Sequence, residues 1–196
     1  MKPALIIFVR NPELGKVKTR LARTLGNDAA LNIYKKLLHH TYSIVCKADY
    51  DKFIFYADYI NENDLWENGV FKKLLQGDGD LGEKMQSAFE TVFALGYKKV
   101  LIIGSDCYEL TSAIISDAFT ALDTVDVVIG PSFDGGYYLL GSNQLLPFLF
   151  TNKEWSTSTV CSDTIAGIER CNKTYHLLTC LNDVDEEKDV PEQLLS

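Results

Sequence analysis

Four basic residues crowd the segment RNPELGKVKTRLA: Arg10, Lys16, Lys18 and Arg20. The segment follows the apolar run ALIIFV, and Val17, Leu21 and Leu25 give it a helical stripe starting near Lys16. A helix start already presents free N–H groups and the positive end of its dipole, which favours an anion. Cations placed there cost stability unless an anion offsets them, so the cluster points to a phosphate-bearing ligand; a solvated basic face is the bland alternative. The spacing is not a Walker A loop, because GKVKT lacks the earlier glycine.

The other candidates are carboxylates at the ends of apolar runs. Asp106 directly follows KVLIIG, where it can hold a hard cation such as magnesium against substrate phosphates, or act as a turn or N-cap residue. Asp134 precedes Gly135 and Gly136 in FDGGYY, glycines that allow close backbone approach to a ligand and equally suit a hairpin. LNDVDEEKD supplies Asp183 and Asp185, with Asp183 nearest the preceding apolar run; Glu186, Glu187 and Asp189 suit the start of an acidic helix.

LLQGDGDLGEKM raises a further question, because Gly77, Gly79 and Gly82 spell G-x-G-x-x-G. That fingerprint requires a first strand before it and a pyrophosphate on the helix after it. Here the glycines follow the late, poorly apolar VFKKLLQ, and Asp78 and Asp80 would repel a pyrophosphate. The dinucleotide spacing is a coincidence. His39, His40 and His176 show no ligand spacing, and the absence of G-x-S-x-G and of a clear cysteine nucleophile argues against hydrolysis through a covalent intermediate.

These residues need a scaffold. Strands are expected at 4–9, 52–57, 99–104, 125–130, 137–141 and 174–179, and helices near 17–25, 28–47, 81–95, 111–123 and 158–170. Continuous apolar runs such as VLIIG suit a mainly parallel sheet buried on both faces, which binds ligands beyond the carboxyl ends of its strands. The 196 residues, 46% hydrophobic and without a repeat or linker, are expected to form one α/β domain, 1–196.

The net charge of -8 argues against nucleic-acid binding, although six basic residues and one acid precede residue 26, leaving about -13 for the rest. Five cysteines without a C-x-x-C pair fit a reducing compartment. With no signal-peptide layout and no run long enough for a membrane span, a cytoplasmic location is expected.

FVRNPELGKVKTRLA, QGDGDLGEKM, LIIGSDC, IGPSFDGGYYLLG, WSTSTV and DVDEEKD occur in the order seen in a family of GT-A-like nucleotide-diphospho-sugar transferases, often labelled a domain of unknown function and in part associated with arsenosugar biosynthesis. The chain resembles that family over nearly its whole length. KTRLA and DGG also look like elements of 2-phospho-lactate guanylyltransferase. The resemblance implies a Rossmann-like three-layer sandwich, with a mainly parallel mixed sheet binding a nucleotide across its carboxyl edge.

Carried over by motif, Lys16, Lys18 and Arg20 would contact phosphates, with Arg10 beside them. Gln76 and Gly79 would line the nucleotide pocket, where Asp78 or Asp80 would accept hydrogen bonds from hydroxyls or amino groups. Asp106 would be the principal magnesium or manganese ligand and Asp183 a second. Asp134 would face the acceptor or the metal, alongside Gly135 and Gly136, with Trp155 and Ser156 closing over the acceptor. Cys107-Tyr108 stands where the family is expected to have a cysteine-proline pair.

The expected activity is metal-dependent transfer from a nucleotide-sugar to a small-molecule acceptor. The alternatives are nucleotidyl transfer from a triphosphate, releasing pyrophosphate, and a non-catalytic nucleotide-binding module.

Overall fold

The computed structural model describes residues 2–195 and is built around one seven-stranded sheet. In chain order its strands are β1 (Ala4–Val9), β2 (Asp51–Tyr56), β3 (Phe71–Leu75), β4 (Val100–Ile103), β5 (Val127–Pro131), β6 (Tyr137–Ser142) and β7 (Tyr175–Leu177). They lie side by side as β3-β2-β1-β4-β6-β5-β7. Only β6 runs against its neighbours, through antiparallel ladders to β4 and β5; β1–β2, β1–β4, β2–β3 and β5–β7 are parallel. This is the mainly parallel mixed α/β sheet expected from the apolar runs.

The helices are α1 (Thr19–Leu25), α2 (Asn27–Val45), α3 (Leu81–Ala94), α4 (Ser112–Ala121), α5 (Val160–Arg170) and α6 (Glu192–Leu195). Alternation along β1 explains the layering. Leu5, Ile7 and Val9 point into a core with Tyr34 and Leu38 of α2 and with Ile115 and Ala118 of α4. Ala4 and Ile6 point to the other face, where Met85, Phe89 and Val92 of α3 and Ile168 of α5 pack. The central strands are therefore apolar at every position, and each fully buried aliphatic side chain stabilises by roughly 1.5–3 kcal/mol. A third cluster joins Leu21 of α1 and Leu37 of α2 to Val184 and Leu194, which ties the C-terminal segment to the start of the chain.

Two boundaries differ from the sequence reading in ways that matter for the site. α1 begins at Thr19 rather than near Lys16, because Lys18 adopts a left-handed conformation (φ 46°, ψ 48°) at its N-cap. β7 is only three residues long, since past Leu177 the chain leaves the ladder and runs beside the end of β5 as far as Leu181. That excursion delivers Asp183 and Asp185 to the carboxyl edge of the sheet.

Candidate active site

A cleft of about 710 Å³ opens along that edge, spanning the ends of β1, β2, β3 and β4 and the start of β6. Arg10, Lys16, Lys18, Arg20, Gln76, Asp106, Ser156 and Asp183 all lie on its wall. Tyr34 ties two of its floor strands together: its hydroxyl accepts from the Arg10 backbone N–H at 2.9 Å and lies 3.2 Å from the Ser105 hydroxyl. The ends of β1 and β4 are thus cross-linked beside Asp106.

Lys18 is the centre of the charge arrangement. Its ammonium donates to Asp106 Oδ2 at 2.9 Å and to Asp185 Oδ1 at 3.0 Å, with only 8% of the side chain exposed. Burial works against its charge, but the two aspartates outweigh burial and raise its pKa, so it is a fixed cation. Left-handed backbone at a non-glycine residue costs on the order of 1–2 kcal/mol, and here it is retained where it aims the side chain between two carboxylates. Arg20 adds a second cation 3.8 Å from Asp185, on a side chain 63% exposed.

Asp183 is the counterpart. It is held deep in the cleft because the next residue, Val184, donates its backbone N–H to the Asp106 carbonyl at 3.0 Å. Its Oδ1 is buried with no hydrogen-bond partner among the described residues. Burial first, and then the charge of Asp106, push its carboxyl up to about 8, against an opposing pull from Lys18. Side by side, the edge thus holds a cation that cannot lose its proton and an acid that retains its own near neutrality.

The remaining sequence candidates divide. Gln76 sits at the end of β3 with its Nε2 donating to the carbonyls of Val9 (3.4 Å) and Phe55 (3.1 Å). Lys16 pairs with Glu13 at 2.6 Å. Asp134 is turned into its own loop, where Oδ1 accepts from the Ser132 hydroxyl and from the Gly136 N–H. It lies off the cleft wall, yet close enough for its charge to act on Asp183. Gly135 (φ +90°) has no room for a side chain, since a Cβ there would meet the Ser158 carbonyl oxygen at 2.0 Å, and its own carbonyl accepts from Cys161 N–H. The paired glycines close the β5–β6 hairpin and dock it on the segment leading into α5.

Asp80 does not face the cleft. It is the N-cap of α3, accepting from the Glu83 N–H while the Glu83 carboxylate accepts from the Asp80 N–H, both at 2.9 Å. Gly79 (φ +97°) makes the turn into that capping box, and a Cβ there would meet the Glu83 carboxylate at 2.0 Å. D-x-x-E ahead of an apolar stripe is a capping signature visible in the sequence. Trp155 also lies away from the wall, its indole against Gly82 in the first turn of α3, while its neighbour Ser156 (φ 64°) reaches the cleft. Tyr34 and Lys84, also on the wall, were not singled out from sequence: Tyr34 was hidden within an apolar helix stripe, and Lys84 lies just past the glycine motif, whereas Asp185 is one of the two aspartates that LNDVDEEKD offers.

Among solved structures, the chain is similar to a protein from Desulfovibrio desulfuricans G20 assigned as a candidate nucleotide-diphospho-sugar transferase. The two are 32% identical with a TM-score of 0.87, over 95% of this chain and 84% of that one. The fold is shared at 10% identity with the inositol-1-phosphate CTP transferase of T. maritima (TM-score 0.60; 99% of this chain, 94% of that one). It is also shared at 9% identity with a CMP:2-keto-3-deoxy-manno-octonic acid synthetase complexed with CTP (TM-score 0.60; 96% and 95%). No curated protein matches the chain. The model of the family DUF2064, described as uncharacterized proteins conserved in bacteria, matches residues 39–157, more than half of the 196, and the chain belongs to that family.

Proposed function

We propose that the chain is a divalent-metal-dependent transferase that takes its transferred group from a nucleotide-diphospho-sugar. The observation that carries this reading is the buried Lys18 held between Asp106 and Asp185, with Arg20 beside it, on the wall of a 710 Å³ cleft at the carboxyl edge of the sheet. The Desulfovibrio protein, similar over 95% of this chain, carries the same transferase assignment and supports the choice of donor.

The donor set suits a metal that arrives with its substrate. Among the described residues no three His, Cys, Asp or Glu side chains converge on one point, so a cation caged by protein alone does not fit. Magnesium commonly takes one or two carboxylates and completes its shell with water and substrate phosphates, and the orphaned Asp183 oxygen beside Asp106 fits that pattern. Asp106 and Asp183 would hold it, and when bound it would neutralise charge on the donor diphosphate.

The chain's own residues do the rest. Lys18 and Arg20 meet the charge that grows on the leaving diphosphate, from positions already paid for in folding. Gln76, its amide nitrogen committed to strand carbonyls, leaves its oxygen for the nucleoside end. Asp134, oriented by Ser132 and Gly136 and close enough for its charge to act on Asp183, would orient an acceptor hydroxyl.

A second reading, nucleotidyl transfer from a triphosphate, is favoured by the five cations on the cleft wall (Arg10, Lys16, Lys18, Arg20 and Lys84) and by the fold shared with CTP-using enzymes. Product analysis separates them, since glycosyl transfer releases a nucleoside diphosphate and nucleotidyl transfer releases pyrophosphate.

The test is a thermal-shift screen of nucleotide-sugars and nucleoside di- and triphosphates, with and without magnesium. A ligand at about 100 times its Kd stabilises by ~2.7 kcal/mol, or roughly 5–10 °C for a chain of this size. The expected result is stabilisation by a nucleotide-sugar that magnesium enhances and Asp106→Ala removes. Silence toward every nucleotide refutes the reading; magnesium-independent binding without turnover assigns a binding module instead.

A further inference from the structure

Lys18 is a cation seated among the carboxylates that the proposed reaction needs. Its ammonium lies 2.9 Å from Asp106 Oδ2 and 3.0 Å from Asp185 Oδ1, almost out of solvent, on a backbone held left-handed to put it there. A magnesium ion sits about 2.1 Å from its carboxylate oxygen. Bound to Asp106 with Lys18 still in place, it would be only a few ångströms from a second positive centre. The two cannot share Asp106 without strong repulsion. Asp185 has no such conflict: it is the second seat of the same ammonium, and Arg20 already approaches its other oxygen.

We propose that Lys18 is the resident counter-cation of this site and Asp185 its positioning residue. Lys18 neutralises Asp106 until a divalent ion arrives, and then remains on Asp185 with its ammonium turned to the donor phosphate. The inference rests on the metal-dependent reading above. It makes binding of metal alone weak, because the ion must displace Lys18 from Asp106. It also couples metal and phosphate positively, because each favours the same displaced state of Lys18, and such coupling is reciprocal.

The test uses Mn²⁺ alone, titrated by calorimetry into the whole chain without nucleotide. Four proteins are compared: wild type, Lys18→Asn, Asp185→Asn and the double variant. Asparagine tolerates left-handed backbone and is too short to reach Asp106, so the turn into α1 is preserved. Lys18→Met serves as a second replacement of different chemistry, and circular dichroism confirms that each variant is folded.

Lys18→Asn and Lys18→Met should each bind Mn²⁺ at least tenfold more tightly than wild type. Asp185→Asn should bind severalfold more weakly, because the displaced ammonium has lost its alternative seat. The double variant should match Lys18→Asn. Unchanged or weaker Mn²⁺ binding when Lys18 is replaced overturns the proposal. So does an Asp185→Asn loss that persists in full without Lys18, which would make Asp185 a metal ligand. If wild type and the Lys18 variants bind Mn²⁺ equally tightly, or if none of the proteins binds it, the counter-cation role falls; the metal-dependent reading falls separately, if magnesium leaves the nucleotide thermal shift of wild type unchanged.

Discussion

Asparagine at position 183 removes one ionisable group from the cleft and leaves the side chain's shape almost unchanged. In the wild-type chain, burial and the neighbouring Asp106 charge hold the Asp183 carboxyl up to about 8, against an ordinary value of 3.8. Below pH 4 both folded and unfolded chains carry that proton and the group is neutral toward stability. Above it the unfolded chain releases the proton while the folded chain does not, so stability falls by ~1.4 kcal/mol per pH unit until about pH 8. The accumulated loss is on the order of 4 kcal/mol at pH 7 and somewhat more at pH 8.

Asparagine does not titrate, and its buried amide costs about 1–2 kcal/mol for lack of a partner. Metal-free Asp183→Asn should therefore match wild type near pH 5 and exceed it by roughly 3 kcal/mol at pH 8, or about 6–12 °C in Tm. The assay is thermal unfolding of both proteins in EDTA at pH 5, 6, 7 and 8, read as their difference so that titrating groups outside the cleft cancel. Magnesium or manganese at pH 8 should narrow the gap by stabilising wild type alone. A difference that stays flat from pH 5 to 8, or an asparagine variant less stable throughout, would refute the account of Asp183 as a carboxylate kept in the fold at a cost to stability.

Two further outcomes separate structural from functional residues. Asp80→Ala should lower stability by about 1–2 kcal/mol, measured by urea denaturation, by removing the α3 capping box, while leaving the nucleotide thermal shift intact. Gly135→Ala should destabilise by more than about 2 kcal/mol, because the added carbon meets the Ser158 carbonyl at 2.0 Å and φ is +90°; equilibrium unfolding with wild-type stability would show that the hairpin shifts freely away from the segment leading into α5.

Much of the scaffold was legible because its signals are local. ALIIFV, VLIIG and VVIG are apolar at consecutive positions, as strands buried on both faces must be, and Asp106 was placed at a strand end by that pattern alone. The stripe of α3 and the hairpin at Gly135-Gly136 are equally short-range. Asp80 was legible too, since D-x-x-E before an apolar stripe specifies a cap, and the nearby glycine spacing drew attention from it.

Contact chemistry between distant segments was not legible. Lys18 meets Asp106 from 88 positions away and Asp185 from 167, and periodicity carries no information about which charges converge at such separations. The sequence by itself determined the layers, most strands and helices, and the kinds of charged residue that end at the sheet's carboxyl edge. Only the tertiary structure decided that Lys18 leaves the helix for a left-handed turn, that Asp183 Oδ1 is buried with no partner among the described residues, and that Asp185 joins the site. Those outcomes depend on the sheet order and on the path of residues 178–185 across the ends of β5 and β4, where burial and long-range charge, rather than local propensity, set each residue's state.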